Sequence, residues 1–138
     1  MKIPRKKILS QRELLDRKLQ RWARLRDEKT PPSGWLKAIR SSLGISSQQL
    51  ATMLGVEQST ALRLEKREAE GSASIETIEK AAHAMGCKLI YAIVPDRPND
   101  SLDKIVEMRA REVAEEINRR VSHTMELESQ GSSSKETE

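Results

Sequence analysis

The sequence predicts a mainly α-helical protein with one β-strand, and three observations lead there. Apolar residues recur three and four positions apart along most of the 138-residue chain, the spacing that builds one face of a helix. Glycines, serines and prolines stand where such helices need stops, caps and breaks. The exception is Cys87 to Val94, Cys-Lys-Leu-Ile-Tyr-Ala-Ile-Val, a short β-favouring run closed by Pro95. With two Trp, one Tyr and no Phe, the core has to be built from Leu, Ile, Val, Ala and Met.

Residues 1–32 read as a basic N-terminal arm and helix. Ile8, Leu15, Leu19, Trp22 and Leu25 predict a helix over Ile8 to Glu28 with Lys and Arg on its other faces. Pro31-Pro32 breaks it, because proline lacks the amide donor and disfavours helix in the residue before it. Residues 33–86 read as four short helices. The first carries Trp35, Leu36, Ile39 and Leu43 and stops at Gly44. Ser46 with Gln49 makes a capping-box pattern for the second, which Gly55 closes in a left-handed turn. Ser74 caps the fourth, Glu76 favours its dipole, and Ile75, Ile78, Ala82 and Met85 form its apolar side up to Gly86.

Residues 87–95 form the predicted strand. A lone strand leaves a row of backbone donors and acceptors unpaired, and this sequence offers no second strand. A second copy of the chain is the simplest source of one. That makes Leu89, Ile90, Tyr91 and Ile93 candidate dimerisation residues and predicts a homodimer. After a Pro95–Pro98 loop, residues 96–128 carry a long C-terminal helix with Leu102, Ile105, Val113, Ile117, Val121 and Met125. Residues 129–138 contain no apolar residue and are expected to be disordered.

Net charge is +4, unevenly spread. Residues 1–29 hold eleven Lys/Arg against four Asp/Glu, residues 30–95 seven against six, and residues 96–138 seven against eleven. A basic end and an acidic end favour different partners. A single cysteine, Cys87, excludes a disulfide framework and a multi-thiolate metal site. The longest apolar run, Leu89 to Val94, is too short to span a membrane, and no apolar stretch follows the basic N-terminus as in a signal peptide. The expectation is a cytoplasmic protein with no membrane contact. His83 and His123 stand apart and read as ordinary helix residues. No Gly-rich phosphate loop, zinc-ligand spacing or triad order appears, so no catalysis, cofactor or metal is expected.

The segment from Ser47 to Lys66 meets the steric demands of two helices crossing over a tight turn. Ala51 is small where the second helix approaches, Gly55 permits the turn, and Leu50, Leu54, Val56, Ala61 and Leu64 supply apolar contacts. Outward from the second helix stand Gln58, Ser59, Thr60, Leu62 and Arg63. Gln and Arg bond bidentately to adenine and guanine edges, Ser bonds either, and an apolar side chain meets a thymine methyl. These five are therefore the candidate base-reading residues. Lys37, Arg40, Ser46, Ser47, Gln48, Lys66 and Arg67 are candidates for the DNA backbone. Lys2, Arg5, Lys6 and Lys7 form a candidate N-terminal arm for phosphates or the minor groove.

This pattern resembles the Cro/repressor-like (XRE) helix-turn-helix family. The resemblance implies a Cro/repressor-like helical bundle that binds double-stranded DNA at a palindromic operator. Ser47 stands where that family usually has a Gln near the phosphates, and Glu57 where it usually has a Ser cap. Beyond the motif, the order Pro-Pro-Ser-Gly-Trp-Leu-Lys-Ala-Ile-Arg over 31–40, then the motif, then the run over 87–95, is similar to the "mobile mystery protein A" family. The similarity spans roughly Leu14 to Leu127. Members are bacterial proteins with a Cro-like domain, typically encoded beside a Fic-domain partner. The resemblance thus implies an autoregulating transcriptional repressor, the antitoxin-like member of a toxin–antitoxin pair with a Fic-domain protein. The Fic-inhibiting pattern Ser/Thr-x-x-x-Glu-Gly/Asn is absent: Ser72 to Glu76 is followed by Thr77, and Ser122 to Glu126 by Leu127. The alternative role is a protein-interaction module whose C-terminal helix sequesters a partner enzyme, with DNA binding secondary.

Overall fold

The computed structural model describes residues 2–136, with side chains as far as Gln130. Its six helices are α1 (Arg5–Ala23), α2 (Trp35–Ser42), α3 (Ser47–Leu54), α4 (Gln58–Glu70), α5 (Ile75–Ala84) and α6 (Leu102–Glu136). They divide between two units: one is Asp27–Ala92, and the other joins residues up to Arg26 with those from Ile93 onward.

In the unit Asp27–Ala92 the local signals act as expected. Ser46 caps α3 through both arms of a capping box, Gln49 N donating to Ser46 Oγ at 3.1 Å and Ser46 N to Gln49 Oε1 at 2.8 Å. Gly55 closes α3 at φ 67°, a conformation a side chain resists. Ser74 caps α5 by accepting from Thr77 N at 3.1 Å. Leu36, Leu50, Ala51, Ala61, Ala81, Ala82 and Met85 are buried. Ile39, Ile45, Leu54, Leu64 and Ile78 pack against them half-buried. Small residues at four of the seven buried apolar positions let short helices approach closely around Leu50.

Two carboxylates on the inner side of α4 then tie it to α2. Glu68 Oε1 accepts from the backbone N of Leu36 at 2.7 Å, capping the first turn of α2 from outside. Gly34, at φ 87°, makes room for that cap: a Cβ there would lie 3.1 Å from both Glu68 carboxylate oxygens and from Ala69 Cβ. Three residues earlier, Glu65 is 4% exposed and receives a two-pronged contact from Arg40, Nε to Oε1 and Nη2 to Oε2, the latter at 3.2 Å. The third nitrogen, Nη1, donates to the Ile45 carbonyl at 3.0 Å and holds the α2–α3 loop.

In the other unit, Asp16 of α1 caps α6: its Oδ1 accepts from Leu102 N at 2.8 Å. Ser101 Oγ accepts from Lys104 N at 3.1 Å, and Arg12 Nη1 pairs with Asp103 at 3.0 Å. Arg26 Nη1 donates to the carbonyls of Pro95 (3.4 Å) and Arg97 (3.1 Å), fixing the loop that leads into α6.

Three expectations are corrected. Residues 87–94 form no strand, and there is none among the described residues. The β-favouring composition is real, but a strand exists through ladder partners, and a single chain supplies none. The first helix runs Arg5–Ala23 rather than Ile8 to Glu28. Pro4, with its fixed φ, sets the earlier start. Leu25 N to Trp22 O (2.9 Å) and Arg26 N to Ala23 O (3.1 Å) tighten the end into turns. Finally, α6 continues past Glu128 to Glu136, so 129–136 are helical where disorder was expected, and 137–138 lie outside the described residues. Adding residues to an existing helix avoids the nucleation cost.

Arg40→Met leaves the Glu65 carboxylate buried and alone, and is expected to cost about 3–5 kcal/mol of unfolding free energy. Arg40→Met combined with Glu65→Leu is expected to cost less than either single change, because no charge is then stranded. Urea titrations of the four proteins give the comparison. Additive losses would show that the two side chains act independently.

Candidate nucleic-acid interface

The helix-turn-helix is α3, the turn 55–57 and α4. Val56 N donates to Ala51 O at 2.9 Å across the Gly55 turn, so the chain reverses within three residues. Glu57 takes the N-cap position of α4 in extended conformation but accepts no hydrogen bond through its side chain. The first amides of α4 are therefore closed by no side-chain acceptor. Val56, expected among the buried contacts, is 39% exposed.

Helical geometry sorts α4 into two faces. Ala61 and Glu65 are buried and Leu64 and Glu68 half-buried, which defines the inner side. Gln58, Ser59, Leu62, Arg63 and Lys66 are all exposed and share a sector of about 140° on the opposite side. Thr60 and Arg67, also exposed, lie at its margin. This face carries two cations, two hydrogen-bonding side chains and one aliphatic side chain, with Leu62 47% exposed. Glu57 before it and Glu70 at its far end are exposed carboxylates that bound it electrostatically. Within this face Gln58 is already positioned: its Nε2 donates to Ser47 Oγ at 2.9 Å, tying the first residue of α4 to the first residue of α3.

The flanking candidates separate into distinct groups. Lys37, Ser46, Gln48, Lys66 and Arg67 are exposed, although the Ser46 hydroxyl is engaged in its capping box and Ser47 is half-buried beneath Gln58. Arg40 is different. All its nitrogens face Glu65 or the Ile45 carbonyl, and its side chain is 12% exposed, so it builds the domain rather than facing solvent. Lys2 is exposed, but Arg5, Lys6 and Lys7 are the opening turn of α1 and not an extended arm. Of the dimerisation candidates, Leu89 is half-buried, while Ile90, Tyr91 and Ile93 are 61%, 68% and 87% exposed. His83 and His123 are exposed helix residues, and no group among the described residues could hold a metal ion.

Sequence reasoning missed Glu65 and Glu68, which set how α4 sits. The available signal was position: Glu65 falls four residues after Ala61, on the side of the helix that has to be apolar, and a carboxylate there demands a partner.

No curated protein and no solved structure matches the chain. No helix among the described residues is long and apolar enough to cross a membrane. Residues 36–91 match the family model Helix-turn-helix (HTH_3), a span that opens inside α2, contains α3 to α5 and reaches Tyr91. Over those residues the chain is similar to helix-turn-helix domains, which supports the Cro/repressor-like resemblance and suggests a DNA-binding regulator.

Proposed function

We propose that this protein is a sequence-specific transcriptional repressor that reads double-stranded DNA with the outer face of α4. One observation carries the reading: Gln58, Ser59, Leu62, Arg63 and Lys66 share an exposed face of a helix whose inner face is fixed by the buried Glu65 and the half-buried Glu68. Base-edge recognition needs side chains of this kind on a rigid helix that can enter the major groove. Lys37, Gln48 and Arg67 supply the phosphate contacts, and Arg40 has no part in them. Lys2 and the first turn of α1 add cations that raise affinity without reading sequence.

Operator binding as a homodimer follows from the same reading. The open side chains of Ile90, Tyr91 and Ile93 and the unpaired backbone around them suit pairing with a second copy. Two α4 helices related by a two-fold axis would then meet half-sites of a palindrome about 34–36 Å apart. The finer resemblance favours an antitoxin-like, autoregulating repressor in a bacterial cytoplasm, partnered by a Fic-domain protein. Its support is the order of residues over 31–40 and 87–95. Purification from the native host with identification of co-eluting proteins tests it; absence of any Fic-domain protein, with the operator still bound, removes that part of the reading alone.

Arg63→Ala and Gln58→Ala are each expected to weaken operator binding by about 1–3 kcal/mol and to relax preference at one base position. The check is fluorescence anisotropy on DNA fragments recovered from a genomic pool. Parent-like affinity in both variants would mean that α4 does not read the bases. Replacing Lys2, Arg5, Lys6 and Lys7 with Ala is expected to flatten the dependence of log affinity on log salt, by up to about 0.9 for each phosphate that is no longer neutralised. An unchanged slope assigns these residues to solvent.

A further inference from the structure

The long helix α6 carries an apolar stripe that its own unit leaves open. At 100° per residue, Val106, Val113, Ile117, Val121 and Met125 fall within a sector of about 120°. Between Arg109 and Leu127 no charged residue enters that sector. All five are open: Val106 is 44% exposed, Val113 60%, Ile117 55%, Val121 48% and Met125 64%. Five half-open side chains in one line leave on the order of 500 Å² of apolar surface, near the upper end of what a monomer shows. The half-buried residues of α6, Leu102, Ile105 and Met108, lie at its first turns, where Asp16 and Arg12 of α1 reach it. From Arg109 to Gln130 every residue is exposed.

We propose that this stripe is a homodimer interface in which α6 packs antiparallel on α6 of a second copy. The charges beside the stripe select that occupant. Glu116 and Arg120 border one edge of it, one turn apart, and within one chain they pair with each other at 3.3 Å. A partner of uniform charge would meet one of them unfavourably. An antiparallel copy centred on Asn118 sets Glu116 of each chain against Arg120 of the other, and the two-fold axis makes that pair twice. Ala114, on the stripe between Val113 and Ile117, keeps the approach close. The proposal deepens the homodimer put forward above, takes from it only the stoichiometry, and is independent of whether α4 reads DNA.

The test is sedimentation equilibrium of the full chain without DNA, with helix content followed by circular dichroism. The parent is expected to be dimeric. Ile117→Glu puts a charge in the stripe of a helix face that is otherwise open, and is expected to raise the dimer dissociation constant at least about 100-fold with helicity kept. Glu116→Arg and Arg120→Glu each set like charges face to face, so each variant alone is expected to dimerise about 3–10-fold more weakly. Mixed together, the two variants regain both opposite-charge pairs and form heterodimers in preference to either homodimer. Ion pairs within one helix cannot produce that rescue between chains. A monomeric parent, or a mixture without heterodimer preference, overturns the proposal. So does a dimer that survives Ile117→Glu but is abolished by Ile90→Pro, which would assign the interface to residues 87–94 alone, with no share for α6. Failure of operator binding by α4 variants would leave every one of these readings unchanged.

Discussion

A charge buried in a small helical unit is stable only if its partner arrives with correct geometry, and Glu65 imposes that condition here. It is the one charged residue in the core of the described chain. An unpaired carboxylate at 4% exposure would cost several kcal/mol, so the unit folds in the arrangement that brings Arg40 to it. Because the guanidinium also holds the Ile45 carbonyl, one side chain joins α2, the loop before α3, and α4. Glu68 adds a second tie on the same face through the first turn of α2. Apolar packing alone, among alanines and flexible leucines, would tolerate rotation of α4 about its axis. Two directional contacts three residues apart do not.

The outward face inherits its rigidity from this arrangement. Gln58 lies one residue past the uncapped Glu57, the end of α4 with the fewest internal hydrogen bonds, and its bond to Ser47 supplies a tie at that end. A side chain held before binding loses less conformational entropy on contact. The same face has two cations between two carboxylates, Glu57 and Glu70, so its own electrostatic attraction for phosphate is modest. Under the proposed function, affinity would then lean on cations elsewhere, and Lys37, Arg67 and the opening of α1 would bear on it as much as α4 does.

What the sequence reveals, and what it hides, divides by distance along the chain. The Ser46–Gln49 box, the Gly55 turn and the Ser74 cap each involve residues five apart or fewer, and each is present as expected. The outer residues of α4 are legible for the same reason: 3.6 residues per turn and one apolar stripe decide which side faces out. Arg40 misleads because its partner lies twenty-five positions away, and a cation before a helix-turn-helix looks like a phosphate ligand until that partner is known. Residues 87–94 have the composition of a strand, but strand formation depends on an edge that no local pattern supplies. The end of α6 departs in the opposite sense, since composition without apolar residues argues against order while the helix already nucleated upstream carries on.

The last twenty-odd residues with described side chains in α6 pose the remaining physical question, namely what keeps them helical. Arg111–Glu107, Arg119–Glu116 and Arg120–Glu116 pairs run along the helix, all well exposed and each worth about 0.3–0.5 kcal/mol. Asp16 and Ser101 secure the first turn, but capping acts on the end where it occurs and fades along the helix. Helices in globular proteins draw most of their stability from burying an amphipathic face rather than from surface pairs. In α6 that face exists from Val106 to Met125 and is open. A sequence that keeps charge out of one sector between Arg109 and Leu127, and places it elsewhere around the helix there, is patterned for a contact along that sector. The helix-turn-helix unit closes its own core around Leu50, whereas the apolar sector of α6 stays open within its own unit.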